Sequence, residues 1–326
     1  MRSWLTDEFE ISVPVLSAPM AGVAGGRLAG AVSAAGGMGL IGVHPGASAD
    51  WLAEQIGSAA APGRPFGIGF IGWALSAAAP GQPDPDELLR VAIDARPAVI
   101  SISFGEIADH VGPLHDAGIA VLTQAGNVDE ALAADAVGVD IIVARGGEGG
   151  GHGRNEVATL PLLQEVLDAV DTPVLAAGGI GNRRGLAAVL AAGAHGALVG
   201  SAFLACPEAA NPAEAKQAVV EARSTDTIYS RIFDLAQSLP WPPQYGGRAL
   251  RNEVTRAWAG REDELARGGP AVVALADQLK SARQAGDVAF AAVYAGQAVG
   301  LVESARSAAE VVAEFAAADE LLARLR

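Results

Sequence analysis

An alternation restricts this chain's fold more than any other feature. Eight short apolar runs, at residues 13–17, 38–43, 66–71, 98–104, 119–123, 140–143, 173–177 and 196–199, are separated by stretches of helical composition. The helical stretches fall at 28–35, 50–60, 84–95, 107–117, 128–137, 159–170 and 182–192, the third after a Pro/Gly-rich loop. The short runs are apolar at consecutive positions rather than at every second one, so both faces of each strand must be buried. A parallel sheet covered by crossover helices meets that demand, and eight strands are the number that closes a barrel. The expected fold is therefore α/β, a (β/α)8 TIM barrel. A doubly wound open sheet competes with it, but that arrangement places a glycine-rich phosphate loop after the first strand. Here the first strand runs into Ala18-Pro19-Met20-Ala21-Gly22, and the glycine-rich motifs come late.

The alternation stops after residue 203. Helical composition returns at 212–223, 248–258, 271–285, 287–299 and 305–325, interrupted by a Pro/Trp/Gly-rich stretch at 239–247. The expectation is a barrel built from residues 1–203 and closed by 301–326, with 204–300 as a mostly helical appendage over its mouth. Trp241, Tyr245 and Trp258 are expected mainly as packing aromatics, with the option of shaping a pocket from above.

A net charge of −15 with only 22 Lys and Arg gives no concentrated basic stripe, which argues against a nucleic-acid surface. No apolar run reaches the ~20 residues that span a bilayer, and residues 1–10 lack the pattern of a secretory signal. One cysteine, Cys206, excludes an internal disulfide and a cysteine-cluster metal site, and it is expected as a buried thiol. No His/Asp/Glu set has metal-ligand spacing, so no metal is expected. A cytoplasmic protein with no membrane partner is the expectation.

Candidate chemistry concentrates in residues 144–154, Ala-Arg-Gly-Gly-Glu-Gly-Gly-Gly-His-Gly-Arg. Ordering so many glycines is entropically costly, so such a run marks tight turning or close approach to a ligand; a flexible loop with a solvated histidine is the alternative. His152, its only imidazole, is the candidate proton acceptor. Gly178-Gly179 after the seventh run and Gly200-Ser201 after the eighth stand where barrels commonly bind phosphate, although tight strand-to-helix turns also select glycine. His44 suits either the active rim or a loop cap, His110 and His115 a peripheral position, and His195 the opposite face of the barrel.

Three stretches together resemble the nitronate monooxygenase family, the 2-nitropropane dioxygenase-like flavoproteins: residues 18–22, the glycine run with Glu148 and His152, and 176–180 with Gly200-Ser201. Stretches at 248–252 and 296–297 look similar too. The resemblance implies FMN at the C-terminal face of the barrel. It puts Ala18, Pro19 and Met20 beside the flavin ring, Gln124 at its polar edge and Gly150 along the ring or ribityl chain. Gly178, Gly179, Gly200 and Ser201 would hold the phosphate, and His152 would face the substrate. Two cofactor positions depart from the family's usual residues, with Gly69 in place of Asn and Arg145 in place of Gln. The favoured reading puts the Arg145 guanidinium at the pyrimidine end of the ring, the alternative in an ion pair within the helix layer.

The implied reaction is oxidation of alkyl nitronates by O2 to carbonyl compounds and nitrite, with His152 orienting the nitronate or taking the α-proton of a nitroalkane. An FMN-dependent NAD(P)H oxidoreductase on the same scaffold, like the enoyl-acyl-carrier-protein or quinone reductases, is the alternative. A flavin- or phosphate-binding protein without turnover ranks last. The expected partners are a small-molecule substrate and O2, with assembly into a homo-oligomer.

Overall fold

The computed structural model describes residues 1–75 and 83–324. Strands β1 (Val15–Ser17), β2 (Gly39–Gly42), β3 (Phe66–Ile71), β4 (Val99–Ser103), β5 (Ala120–Ala125) and β6 (Ile141–Arg145) follow one another around a parallel ring. After a short excursion, β7 (Gly151–Gly153), the ring continues with β8 (Val174–Ala177) and β9 (Gly196–Val199). The pairing order is β1-β9-β8-β6-β5-β4-β3-β2. A parallel bridge between Leu16 and Met38 joins its two ends. There the Ser17 N–H donates to the Met38 carbonyl and the Met38 N–H to that of Val15, each at 3.0 Å. The eight apolar runs are thus the eight staves of a TIM barrel.

The period-two alternation of strand side chains divides each run between two cores. Leu16, Leu40, Val99, Leu122, Ile141, Val143, Leu175 and Leu198 share the inner core, which Leu5 and Phe9 of the N-terminal segment join. Their strand neighbours, among them Val15, Ile41, Ile68, Ile100, Val121 and Ile142, pack beneath the outer helices. Burying each such side chain contributes ~1.5–3 kcal/mol, which is why a run must be apolar throughout. The helices begin where the sequence supplies a cap: the side chains of Ser48, Asn127 and Asn182 accept backbone N–H groups at three of their N-termini. The helix Trp4–Glu8, capped by Ser3, is an addition to the expected elements.

Beyond the barrel the chain forms helices Ala213–Glu221, Ile232–Ala236, Glu253–Trp258, Glu262–Arg267 and Pro270–Ala285. It also forms something the sequence did not announce. Strands β10 (Thr227–Ser230) and β11 (Gly246–Leu250) pair antiparallel, and β11 pairs in turn with β7, the excursion from the barrel. The helix expected over 248–258 therefore starts only at Glu253, behind an Asn252 capping box, because its first residues belong to β11. The helix expected over 287–299 is absent. The preceding helix ends at left-handed Gly286, Tyr294 bridges to Ala249, and only a 3-10 turn, Gln297–Leu301, follows. The last expected helix is two, Ala308–Ala316 and Ala318–Ala323, packed against the barrel's outer layer. The Pro/Gly-rich loop before residue 84 falls largely outside the described residues, as does residue 325. Among the described residues, no helix is long and apolar enough to cross a membrane.

Candidate active site

A cavity of about 1120 Å³ opens where strands β1, β2, β5, β6, β8 and β9 end, beneath the residues appended to the barrel. Ala18, Pro19, Met20, Gln124, Arg145, Gly150, His152, Gly178, Gly179, Gly200 and Ser201 all line it. Gly69 is the exception. It is buried in β3 under Pro19, where a Cβ would fall 2.3 Å from the proline Cβ. The Pro19 ring occupies the space a side chain would take at this position, so Gly69 presents none to the cavity.

His152 sits in the middle of β7, paired with Gly247 of β11. Its Nε2 lies 2.9 Å from Oδ1 of Asp234, a carboxylate only 2% exposed. The indole of Trp241 lies against the imidazole with ring centroids 3.6 Å apart and planes 1° from parallel, and Tyr294 stands 5.2 Å away on a tilted plane. Burial pushes the Tyr294 phenol well above its ordinary range, the Asp234 charge adds to that, and the Arg283 guanidinium opposes it. Trp241 is held in turn by edge contacts with Trp73 at 5.4 Å and Phe104 at 5.5 Å. Phe104 follows β4 with φ of 70°, a left-handed backbone that a bulky residue adopts only where its surroundings impose it. That turn sets its ring between Trp241 and Tyr245.

Two arginines fix the glycine run. The Arg145 Nη1 donates to the Arg154 carbonyl at 2.8 Å, and its Nη2 lies within donating distance of the carbonyls of Gly149, Gly150 and Gly151. Its terminal nitrogens are thus engaged by loop backbone. This differs from the alternative of an ion pair in the helix layer, and the residue still lines the cavity. A planar fork that satisfies several main-chain oxygens orders a segment lacking side chains of its own. Burial pushes this guanidinium down to about 10, which leaves it charged at neutral pH. From the other side, Arg248 on β11 donates to the Gly147 carbonyl at 2.9 Å and to Asn155 Oδ1 at 2.7 Å. Glu148 accepts the N–H and hydroxyl of Thr159, both at 2.8 Å, and so places its charge at the start of helix Thr159–Ala169.

After β8 and β9 the chain leaves room for an acceptor-rich group. Gly178 and Gly179 take φ of 103° and 71°, and a Cβ at Gly178 would strike Thr159 Oγ1 at 2.7 Å. The N–H groups of Gly179 and Gly200 have no acceptor among the described residues. Ser201 Oγ accepts the Gly296 N–H at 2.9 Å and keeps its own proton to donate. Gly296 also explains the sequence similarity at 296–297: it packs on Gly150, where a Cβ would stand 2.4 Å from its nitrogen.

The remaining histidines separate cleanly. His44 lines the cavity with its Nδ1 3.2 Å from the Pro45 carbonyl and its edge on Trp51. His115 pairs with Asp140 on the surface, and His195 packs against Trp4 at the opposite end of the barrel. No group of three or more potential metal ligands occurs among the described residues. Asp234 was missed in the sequence because 82 residues separate it from His152. Its signal was present all the same: a single acid inside Ile-Phe-Asp-Leu-Ala must find a partner if that helix is buried.

A TIM barrel with an imidazole–carboxylate pair, glycine turns after the last two strands and an aromatic roof is the frame of an enzyme, and its relatives make it an oxidoreductase of the flavin-dependent kind. The chain belongs to the nitronate monooxygenase family, whose profile matches residues 2–318. It is 32% identical to the nitronate monooxygenase npaC of Metarhizium robertsii over 92% of this chain and 89% of that one. Among solved structures, a nitroalkane oxidase from Streptomyces ansochromogenes superposes with a TM-score of 0.81 at 31% identity, covering 99% of both chains. FabK from Thermotoga maritima superposes with a TM-score of 0.84 at 28% identity, covering 100% of this chain and 99% of its own.

Proposed function

We propose that this protein is an FMN-dependent nitronate monooxygenase that converts alkyl nitronates and O2 to carbonyl compounds and nitrite, with His152 as its catalytic residue. The observation that carries the reading is the His152–Asp234 pair, 2.9 Å apart, in a cavity that also presents the Gly179 and Gly200 N–H groups, unpaired among the described residues. The cavity fits FMN. The open N–H groups of Gly179 and Gly200, together with the Ser201 hydroxyl, suit a phosphate. The Gln124 carboxamide, which has no partner among the described residues, suits the polar edge of the ring. Ala18 to Met20 and Gly150 offer apolar and backbone surface to its faces.

FMN, when bound, supplies the electron acceptor and the route to O2 that this oxidation demands. The protein's own part is binding, orientation and one proton. An ionised Asp234 accepts the Nε2–H of His152, which leaves the lone pair of the neutral ring at Nδ1. That nitrogen takes the α-proton of a neutral nitroalkane, and the resulting imidazolium lies between a buried carboxylate and an indole face, both of which favour positive charge. For a nitronate already ionised, a His152 ring that has taken its second proton from solvent donates from Nδ1 to a nitro oxygen and orients the carbon. Trp241, Trp73 and Phe104 cover the site and exclude water. Arg145 and Arg248 hold the glycine run, and with it His152, in place.

The likeness to FabK supports a second reading, an NAD(P)H-dependent reductase on the same frame. Anaerobic mixing separates the two. Bleaching of the flavin by an alkyl nitronate, with nitrite released on admitting O2, is the expected result, and His152→Asn is expected to retain flavin while losing turnover, most severely on neutral nitroalkanes. Bleaching by NADH or NADPH alone would transfer the assignment to the reductase.

A further inference from the structure

Arg283 lies near the end of the helix Pro270–Ala285 and lines the same cavity. Its guanidinium crosses to the barrel rim at the turn after β1, where a Cβ on Gly22 would stand 3.4 Å from Nη2. Arg145, Arg154 and Arg248 all have carbonyl or carboxylate acceptors. Arg283 is exposed, and its guanidinium has no hydrogen-bond or ion-pair partner among the described residues. The other charged residues lining the cavity, Arg145 and Glu148, are engaged by the loop and by Thr159, which leaves the Arg283 guanidinium to meet an anion there. Its charge also reaches the inner site, since it acts on the Tyr294 phenol beside His152. The wall it shares with Val23, Leu204, Ala215 and Val288 is apolar. The volume of about 1120 Å³ exceeds the range of about 300–1,000 Å³ usual for ligand pockets.

We propose that Arg283 recognises the acidic end of an extended substrate, whose reactive group lies at His152, whose apolar body runs along Val23, Leu204 and Val288, and whose terminal carboxylate or phosphate meets the guanidinium. The inference rests on the assignment of this cavity as the oxidoreductase's substrate site. It adds the class of molecule that fills the site: amphiphilic, several carbons longer than a simple nitroalkane, and anionic at the tail.

The test is a binding measurement that does not depend on turnover. Flavin-loaded full-length protein is titrated with octanoate, octyl phosphate and 1-octanol by calorimetry, while the flavin absorbance band reports a ligand lodged beside the ring. The acids are expected to bind about tenfold more tightly than the alcohol, as a charge-assisted hydrogen bond allows, with a preference that weakens as salt is raised. Arg283→Gln should bring acid and alcohol to within about twofold, and Arg283→Lys should retain the preference. Tighter octyl phosphate marks a phosphorylated tail and tighter octanoate a carboxylate tail, and either supports the proposal. Equal binding of acids and alcohol by the unmodified protein, or a preference that survives Arg283→Gln, overturns it. Nitronate bleaching is scored separately: bleaching without an anion preference removes this inference alone, and an anion preference without bleaching removes the monooxygenase reading alone.

Discussion

The indole of Trp241 lies flat on the imidazole of His152, 3.6 Å between centroids and 1° from parallel. One face of the histidine is thereby closed, so any reactant approaches it from the other face or along its edge. Trp241→Leu keeps apolar bulk but removes the flat surface. It is expected to lower kcat/KM for nitroalkanes by about five- to thirtyfold, in line with ~1–2 kcal/mol for a lost stack and looser positioning. Trp241→Phe should recover most of the loss. Steady-state kinetics on the three proteins decide the point, and equal values would show that the stack is packing alone.

Asp234→Asn preserves the shape of the carboxylate and removes its charge. The amide meets Nε2 either by donating to it, which moves the ring proton to Nδ1 and abolishes the basic nitrogen, or by accepting from it without the charge that stabilises the imidazolium. Turnover of neutral nitroalkanes should fall about 10²-fold or more, while the flavin spectrum and thermal midpoint stay close to those of the unmodified protein. Unimpaired turnover would show that His152 works without its carboxylate.

Gly150→Ala would place a methyl group 2.4 Å from the Gly296 nitrogen and 2.7 Å from the Ala295 carbonyl carbon. Those are backbone atoms, so the two segments must separate rather than repack a side chain. A loss of about 1–3 kcal/mol is expected, read as a lower thermal midpoint and faster loss of bound flavin on dilution.

Burial, reinforced by Glu208, pushes the Cys206 thiol up to about 12. In the folded protein at pH 8 there is almost no thiolate to attack an alkylating reagent, whereas the unfolded thiol has a pKa of ~8.5. Iodoacetamide should leave Cys206 unmodified until the chain is unfolded. Because the folded pKa is raised, its contribution to stability is complete below the unfolded value and is lost as pH climbs from about 8.5 toward 12. Rapid labelling of native protein at pH 8 would contradict the burial.

The barrel was legible because its information is local: a strand buried on both faces must be apolar at each position, and 66–71 or 98–104 can be recognised without knowing their neighbours. His152 and the glycine pairs were legible for a related reason, since glycine marks backbone that side chains would obstruct. Asp234 and β11 were not, because each gains its meaning from a partner far along the chain. A strand reading Gly-Gly-Arg-Ala-Leu has too little side-chain pattern to declare itself. Arg145 shows a different limit. A buried guanidinium in a glycine-rich setting suits a cofactor's oxygens and the loop's own carbonyls equally well, and the engagement with the loop shows only in the folded geometry.

The pairing of β7 with β11 sets a requirement on the order of folding. The barrel can lay down its strands through short crossovers, yet His152 acquires its register from Gly247, its carboxylate from Asp234 and its stacked ring from Trp241, all supplied by chain that leaves the ribosome later. A truncated or half-assembled molecule would carry the histidine without its company. Reactivity in this protein is therefore also a certificate of completed folding, issued only when both ends of that small sheet have met.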